Sequence, residues 1–310
     1  MFDVSHMGQV LVEGKDAWAF LQYVNCNNIK NTPGAGTYSH ILTERGTIID
    51  DLIAFCLTPE KFLVVVNAAC REEDVAWLQK HAPRFNVRVT DVSDQYGMIA
   101  VQGPHAVEKL SRVLGDVNGV ARFHITPVVF EGAHGYLTRT GYTGEDGAEV
   151  MLPPEATVKL WDALLKEGVK PCGLGARDVL RLEAGYLLNG QDADQSRTPY
   201  EANCGWVVKL AKEDFIGKPV LAEQKAKGVQ QKLTAFRLSG AGVPRTGCKV
   251  FVNAQEAGTI TSGTFSPLFK GIAVGYAQAG LAEGTAVEIE IHGRRIPAQV
   301  VKTPFYKNRV

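Results

Sequence analysis

The chain has 310 residues, 45% of them hydrophobic, enough for a sizeable core and more than one domain. Lysine plus arginine and aspartate plus glutamate both total 33, so no net field draws nucleic acid or an anionic membrane surface. No apolar run approaches ~18 residues, no basic-then-apolar leader follows Met1, and the six scattered cysteines form no C-x-x-C pair. These features indicate a cytoplasmic protein with buried thiols, and neither a disulfide frame nor a zinc site.

In chain order, residues 2–7 read as the approach to a strand, and 9–12 as a strand closed by Glu13-Gly14. Asp16 is placed to cap a helix with Trp18, Phe20, Leu21 and Val24 on or near one face. Strands over 38–43 and 47–56 flank the hairpin turn Glu44-Arg45-Gly46. The second carries Asp50-Asp51 among apolar neighbours. Adjacent strand residues face opposite sides, so only one of the two can share a given face, and neither is cheap to bury unpaired. Two arrangements fit: one carboxylate serves a site, or one points at solvent while the other bonds a backbone amide.

Residues 61–67 read as a buried strand, followed by a helix over 72–81 with Glu72, Glu73 and Asp74 in its favoured acidic first turn. Further strands fall at 87–92, 96–101, 123–130 and 135–139, with a helix over 106–114 and an amphipathic helix over 154–165. Residues 227–232 are polar and read as a linker. Beyond them, six short strands between 233 and 301, separated by Gly- and Pro-containing turns, predict a small antiparallel barrel.

Two stretches carry chemistry. In R-T-G-Y-T-G-E-D-G-A-E-V, from Arg139 to Val150, three glycines within seven positions predict a tight turn needing positive φ, with Asp146-Gly147 at its end. The strand leaving it points Glu149 away from Ala148 and Val150. A carboxylate there suits a ligand with two adjacent N–H donors, or it faces solvent beside an ordinary hairpin. The second stretch is P-C-G-L-G-A-R-D, from Pro171 to Asp178, which opens a helix. No G-K-[ST] follows its glycines, so it is not a phosphate loop. Arg177 enters that helix from a glycine turn, placed either for a ligand carboxylate or for a structural acidic partner.

Five motifs, M-F-D-V-S-H-M-G, I-I-D-D-L, R-T-G-Y-T-G-E-D-G-A-E, G-L-G-A-R-D-V-L-R-L-E-A-G and I-T-S-G-T-F-S-P, occur in that order between Met1 and Pro267. Jointly they resemble the glycine cleavage T-protein family, the tetrahydrofolate-dependent aminomethyltransferases, with similarity running on to Tyr306. The resemblance implies an α+β fold of three domains in a cloverleaf around a central folate channel. The first two would be interleaved within residues 1–225, and the barrel would fill 226–310. It implies that Asp51 is the catalytic carboxylate near the folate N10, that Glu149 contacts the pterin, and that Tyr142 lines the same pocket. Arg177 would face the folate tail; Tyr38, Asn67 and Tyr306 match further pocket positions. The implied partner is lipoylated H-protein, whose aminomethyl group loses ammonia as tetrahydrofolate captures the carbon; no metal is implied.

Three departures from the family pattern stand out. Some forty residues usually precede M-F-D-V-S-H; their absence predicts that residues 1–8 form a strand with an apolar surface left uncovered. Thr47 replaces a usual glycine, and Phe55 replaces a tyrosine. The alternatives are a tetrahydrofolate-dependent demethylase, whose pocket would differ around 1–10 and 189–206, and a folate-binding iron–sulfur assembly factor. The latter's K-G-C-[FY]-x-G-Q-E motif is not matched by Tyr186 to Asp192, which contain no cysteine.

Overall fold

Two five-stranded sheets and a closed six-stranded barrel make up this computed structural model, which describes residues 1–307. The chain runs through β1 (Phe2–Asp3), β2 (Gly8–Glu13), α1 (Ala17–Val24), β3 (Gly36–Leu42), β4 (Ile48–Thr58), β5 (Lys61–Val66), α2 (Arg71–His81) and β6 (Arg88–Asp91). It continues through β7 (Gly97–Gln102), α3 (Ala106–Leu114), β8 (Ile125–Phe130), β9 (Ala133–Thr138), β10 (Gly147–Leu152), α4 (Pro154–Lys166), α5 (Leu174–Glu183) and α6 (Lys218–Lys227). The barrel strands are β11 (Gln231–Leu238), β12 (Lys249–Val252), β13 (Gln255–Ser266), β14 (Lys270–Gln278), β15 (Ala286–Ile291) and β16 (Arg294–Val301).

The first sheet has the order β3-β4-β5-β2-β6 and the second β1-β7-β10-β9-β8. β1 thus belongs to the second sheet although five strands of the first follow it. The two are interleaved in sequence. Strand period decides what each sheet buries. Val10, Phe62 and Val64 pack with Phe20, Leu21 and Val24 of α1 and Leu78 of α2. In the second sheet, Val101, Ala148 and Val150 pack with Leu110 of α3 and Leu160 and Leu164 of α4. The opposite faces share a third core, with Phe55, Leu63 and Val65 from the first sheet and Met98, Ala100 and Met151 from the second. Two sheets therefore meet through the faces their helices leave open.

Several local expectations change. Phe2 and Val4 are buried in the shared core at 3% and 0% exposure, whereas Met7 is half-buried and Leu174, beside Phe2, is exposed. Trp18 lies off the buried face of α1, and its indole N–H donates to the Ile29 carbonyl (2.8 Å). Asp16 makes no side-chain cap; it accepts the Asn86 amide (2.8 Å) instead. Asp74 does not decorate an exposed first turn but is fully buried. α6 and β11 take up half of the 227–232 stretch read as a linker, leaving only 228–230 between them, and the barrel closes through pairing of β11 with β16. No helix among the described residues is long and apolar enough to cross a membrane.

Candidate active site

A cavity of about 910 Å³ lies where the two sheets, α5 with its following loop, and the barrel come together. Tyr38, Asp51, Asn67, Tyr142, Glu149 and Arg177 all line it. Strand parity explains how. Asp51 shares its face of β4 with Ile53 and Phe55, toward the second sheet, whereas Asp50 shares the helix-covered face with Leu52 and Ala54. Both expected arrangements hold in part: Asp50 bonds a backbone amide, that of Asn67, while Asp51 faces the cavity instead of the outer surface.

Asp51 accepts the Tyr38 hydroxyl (3.0 Å) at Oδ2 and the Asn67 side-chain amide (3.0 Å) at Oδ1. Register places His40 directly across from Asp51, and its Nε2 lies 3.2 Å from the Tyr38 hydroxyl oxygen. His40 is fully buried, and burial lowers its pKa to about 3, so the ring is neutral. Its Nδ1 has no partner among the described residues. An unpaired buried N–H costs more than an unpaired acceptor, so the proton belongs on Nε2, donated to the tyrosine oxygen. That leaves the tyrosine proton for Asp51. Burial, and then the Asp50 carboxylate, raise the Asp51 pKa to about 7 against the opposing Tyr38 and Asn67 bonds.

Asp50 is fully buried and accepts the Asn67 backbone N–H (2.9 Å), the Asn67 amide (2.9 Å) and the Asn189 amide (2.5 Å). Asn67 therefore grips both aspartates at once.

Glu149 enters from β10 between β7 and β9, with Oε2 accepting the Thr140 hydroxyl (2.6 Å). Burial raises its pKa, while Thr140 and Arg177 oppose the rise. The preceding turn is fixed by Arg139, which is buried, pairs with Asp146 (2.8 Å) and donates to the Gly147 carbonyl (3.1 Å). Positive φ occurs at Gly144 (77°), not at Gly147. Gly147 is needed for closeness: a Cβ there would sit 2.2 Å from the Val101 carbonyl oxygen.

Arg177, in the first turn of α5, lies with its guanidinium 4.7 Å from the Tyr142 ring centroid. Its Nη1 is buried without a partner among the described residues, a donor left over for something the cavity receives. Tyr142 stacks on Tyr186 (centroids 5.7 Å apart) and donates its hydroxyl to the Leu187 carbonyl. Tyr38 stacks on the exposed Trp206 (5.7 Å). Tyr306 is the candidate the cavity does not take in: it is absent from the lining, where Thr303 and Pro304 stand, and its backbone N–H donates to the Glu183 carbonyl (2.9 Å). No group of three or more His, Cys, Asp or Glu among the described residues is placed to hold a metal ion.

Sequence reading passes over His40, Asn189, Trp206 and Arg181. His40 alone carried a usable signal, since it lies two residues from Tyr38 and so on the same strand face. The others reach their partners through loops that no local pattern announces.

The profile of the GCVT N-terminal domain matches residues 1–212, and that of the glycine cleavage T-protein C-terminal barrel domain matches 231–307. Aminomethyltransferase of Thermotoga neapolitana is 43% identical, the match spanning 100% of this chain and 87% of that protein. Aminomethyltransferase of Picosynechococcus is also 43% identical, across 99% and 86%. The crystal structure of glycine cleavage system aminomethyltransferase T from Bartonella henselae superposes with a TM-score of 0.93 at 34% identity, over 99% of this chain and 86% of that one. Matched along its whole length in both sequence and fold, the chain belongs to the glycine cleavage T-protein family.

Proposed function

We propose that this aminomethyltransferase transfers the one-carbon unit of aminomethyl-lipoyl H-protein to tetrahydrofolate, giving 5,10-methylene-tetrahydrofolate, ammonia and dihydrolipoyl H-protein. One observation carries the reading: Asp51, Glu149 and the unpartnered Arg177 Nη1 line one cavity with aromatic faces beside them.

These residues fit a folate. Glu149 offers a carboxylate to the paired N–H donors of a 2-amino-pyrimidinone edge. Arg177 offers its free N–H to the glutamate tail. Tyr142 and Tyr38 present ring faces to the pterin and aminobenzoate. Tetrahydrofolate, when bound, supplies the nitrogens that take up the carbon. Asp51, held by Tyr38 and Asn67, orients the acceptor and opposes the positive charge that develops as ammonia leaves. It need not take a proton to do so. Tyr306 is taken as a further folate contact, on the segment that follows the cavity-lining Thr303 and Pro304. We place the protein in the cytoplasm, and we place the divide between folate-binding region and barrel at Gly228, where α6 ends, a few residues past 225.

The test is methylene-tetrahydrofolate formation from aminomethylated H-protein. Turnover that needs both substrates supports the assignment; turnover with a free N-methyl small molecule and none with H-protein would replace it by the demethylase reading.

A further inference from the structure

Asp74 is an acid that no donor serves. It sits in the first turn of α2, fully buried, and neither carboxyl oxygen receives a hydrogen bond from any described residue. An ionised carboxylate so placed would cost several kcal/mol, and no helix-dipole benefit approaches that. What faces it is another carboxyl, Asp50, close enough for the two to hydrogen-bond. Strand parity accounts for the meeting: Asp50 projects onto the face of β4 that the helices cover, and Asp74 projects inward from α2.

Two buried carboxyls in contact can keep only one negative charge. The donors decide where it goes. Asp50 accepts three N–H bonds from Asn67 and Asn189, whereas Asp74 accepts none. The proton therefore belongs to Asp74, and the shared bond runs from Asp74 to Asp50. The titratable groups that act on Asp74 are Asp50 and Asp51 from β4 and Glu73 from α2, with the Cys70 thiol beside them. None is a cation that could stabilise a second negative charge. Burial and these acidic neighbours raise the Asp74 pKa to about 10.

We propose that Asp74 is a positioning residue: it stays protonated, donates to Asp50, and through Asp50 fixes the Asn67 amide on Asp51. The link is continuous. Asp50 accepts both the backbone N–H and the side-chain amide of Asn67, and that same amide donates to the Asp51 carboxylate. The charge retained on Asp50 also opposes ionisation of Asp51. Asp74 thus sets both the orientation and the titration of a group it does not touch. The inference rests on Asp51 being the reacting carboxylate, but the location of the proton does not.

The experiment has two arms. Infrared difference spectra at pH 7 between the wild-type protein and Asp74→Asn report the proton directly. A carbonyl band of a protonated carboxyl, present in the wild type and lost in the variant, is expected; its absence overturns the proposal whatever the enzyme's substrate. The second arm compares Asp74→Asn with Asp74→Leu at matched folded fraction. Asparagine keeps a neutral donor toward Asp50 and should retain about half of kcat or more, with the acidic limb of the pH profile unmoved. Leucine removes the donor, so the Asp50 pKa, already raised by burial, rises further and Asp50 takes a proton from solvent. The acidic limb should then move to lower pH and kcat fall by about tenfold or more. Equal behaviour of the two variants, or no movement of the limb, overturns the positioning role. If the leucine variant does not fold, loss of activity in Asp74→Asn to below about a tenth overturns it instead.

Discussion

Asp50 and Asp51 are consecutive residues with different work because a strand turns them to opposite faces. Asp51 looks into the cavity, and Asp51→Asn keeps its shape while removing the charge that opposes a developing cation. Turnover should fall on the order of a hundred- to thousandfold, with tetrahydrofolate affinity changing far less, because such a charge acts mainly in the transition state. Full activity of this variant in the H-protein assay would remove Asp51 from the chemistry. Asp50→Asn should lower melting temperature, since Asn67 and Asn189 lose an anionic acceptor, and should reduce turnover less than Asp51→Asn, through the hold of Asn67 on Asp51. The Asp51 pKa of about 7 has two further consequences. The ionised form is the useful one, so kcat/KM measured against pH should decline as pH falls through about 7. Stability moves the other way: a carboxyl whose folded pKa is raised favours the folded state below its unfolded pKa and loses that contribution as pH rises through its folded one. The wild-type protein should therefore lose melting temperature between about pH 4 and pH 8 more steeply than Asp51→Asn. Parallel curves would show that Asp51 ionises at an ordinary value.

At the scale of elements, the segment from β9 through the glycine turn into β10 delivers Glu149, and its fit to β7 is tight. Gly147→Ala would drive a methyl into the Val101 carbonyl, so β10 must shift. A cost of about 1–3 kcal/mol in stability is expected, with weaker folate binding because Glu149 moves with its strand. Glu149→Ala and Arg177→Ala should each weaken tetrahydrofolate binding by about 1.5–3 kcal/mol, the loss of one charge-assisted contact. Calorimetry finding unchanged affinity in both would refute the folate site. Much of this element order was legible: α3 falls on the residues its periodicity marks, and β15 on those its alternation marks. What local pattern does not carry is where a side chain ends up when a loop brings its partner from far away. Asp74 shows the point. An acidic first turn looks like dipole compensation, and only the packing of α2 against the first sheet turns it into a buried acid. Gly147 shows another, since close approach of two strands and a positive φ both demand glycine, and sequence does not tell them apart.

Across the whole molecule, two of the motifs that marked the family in sequence prove to be two sides of one joint. Arg181, in R-L-E-A-G, is 1% exposed, pairs with Asp192 (2.6 Å) and donates to the Ser262 hydroxyl (2.8 Å). Ser262 lies in I-T-S-G on β13, at a register shift between Ile260 and Ser262, and its neighbour Thr261 also donates to Asp192 (2.5 Å). A bulge lets consecutive residues serve the same partner, which regular alternation forbids. Two residues on, Glu183 accepts the Ser266 hydroxyl (2.5 Å). The barrel is thus bolted to α5, the helix that carries Arg177 into the cavity. Arg181 offers donors in three directions from a rigid plane, which a lysine cannot reproduce. Arg181→Met would leave Asp192 buried and uncompensated, at a cost of about 3–5 kcal/mol, and Arg181→Lys should recover only part of it. Because α5 and the barrel both line the cavity, tetrahydrofolate affinity should fall along with stability although Arg181 does not line the cavity itself. Denaturant unfolding and folate titration on the same samples decide the matter. Reduced stability with full folate affinity would mean that the barrel's attachment does not shape the site.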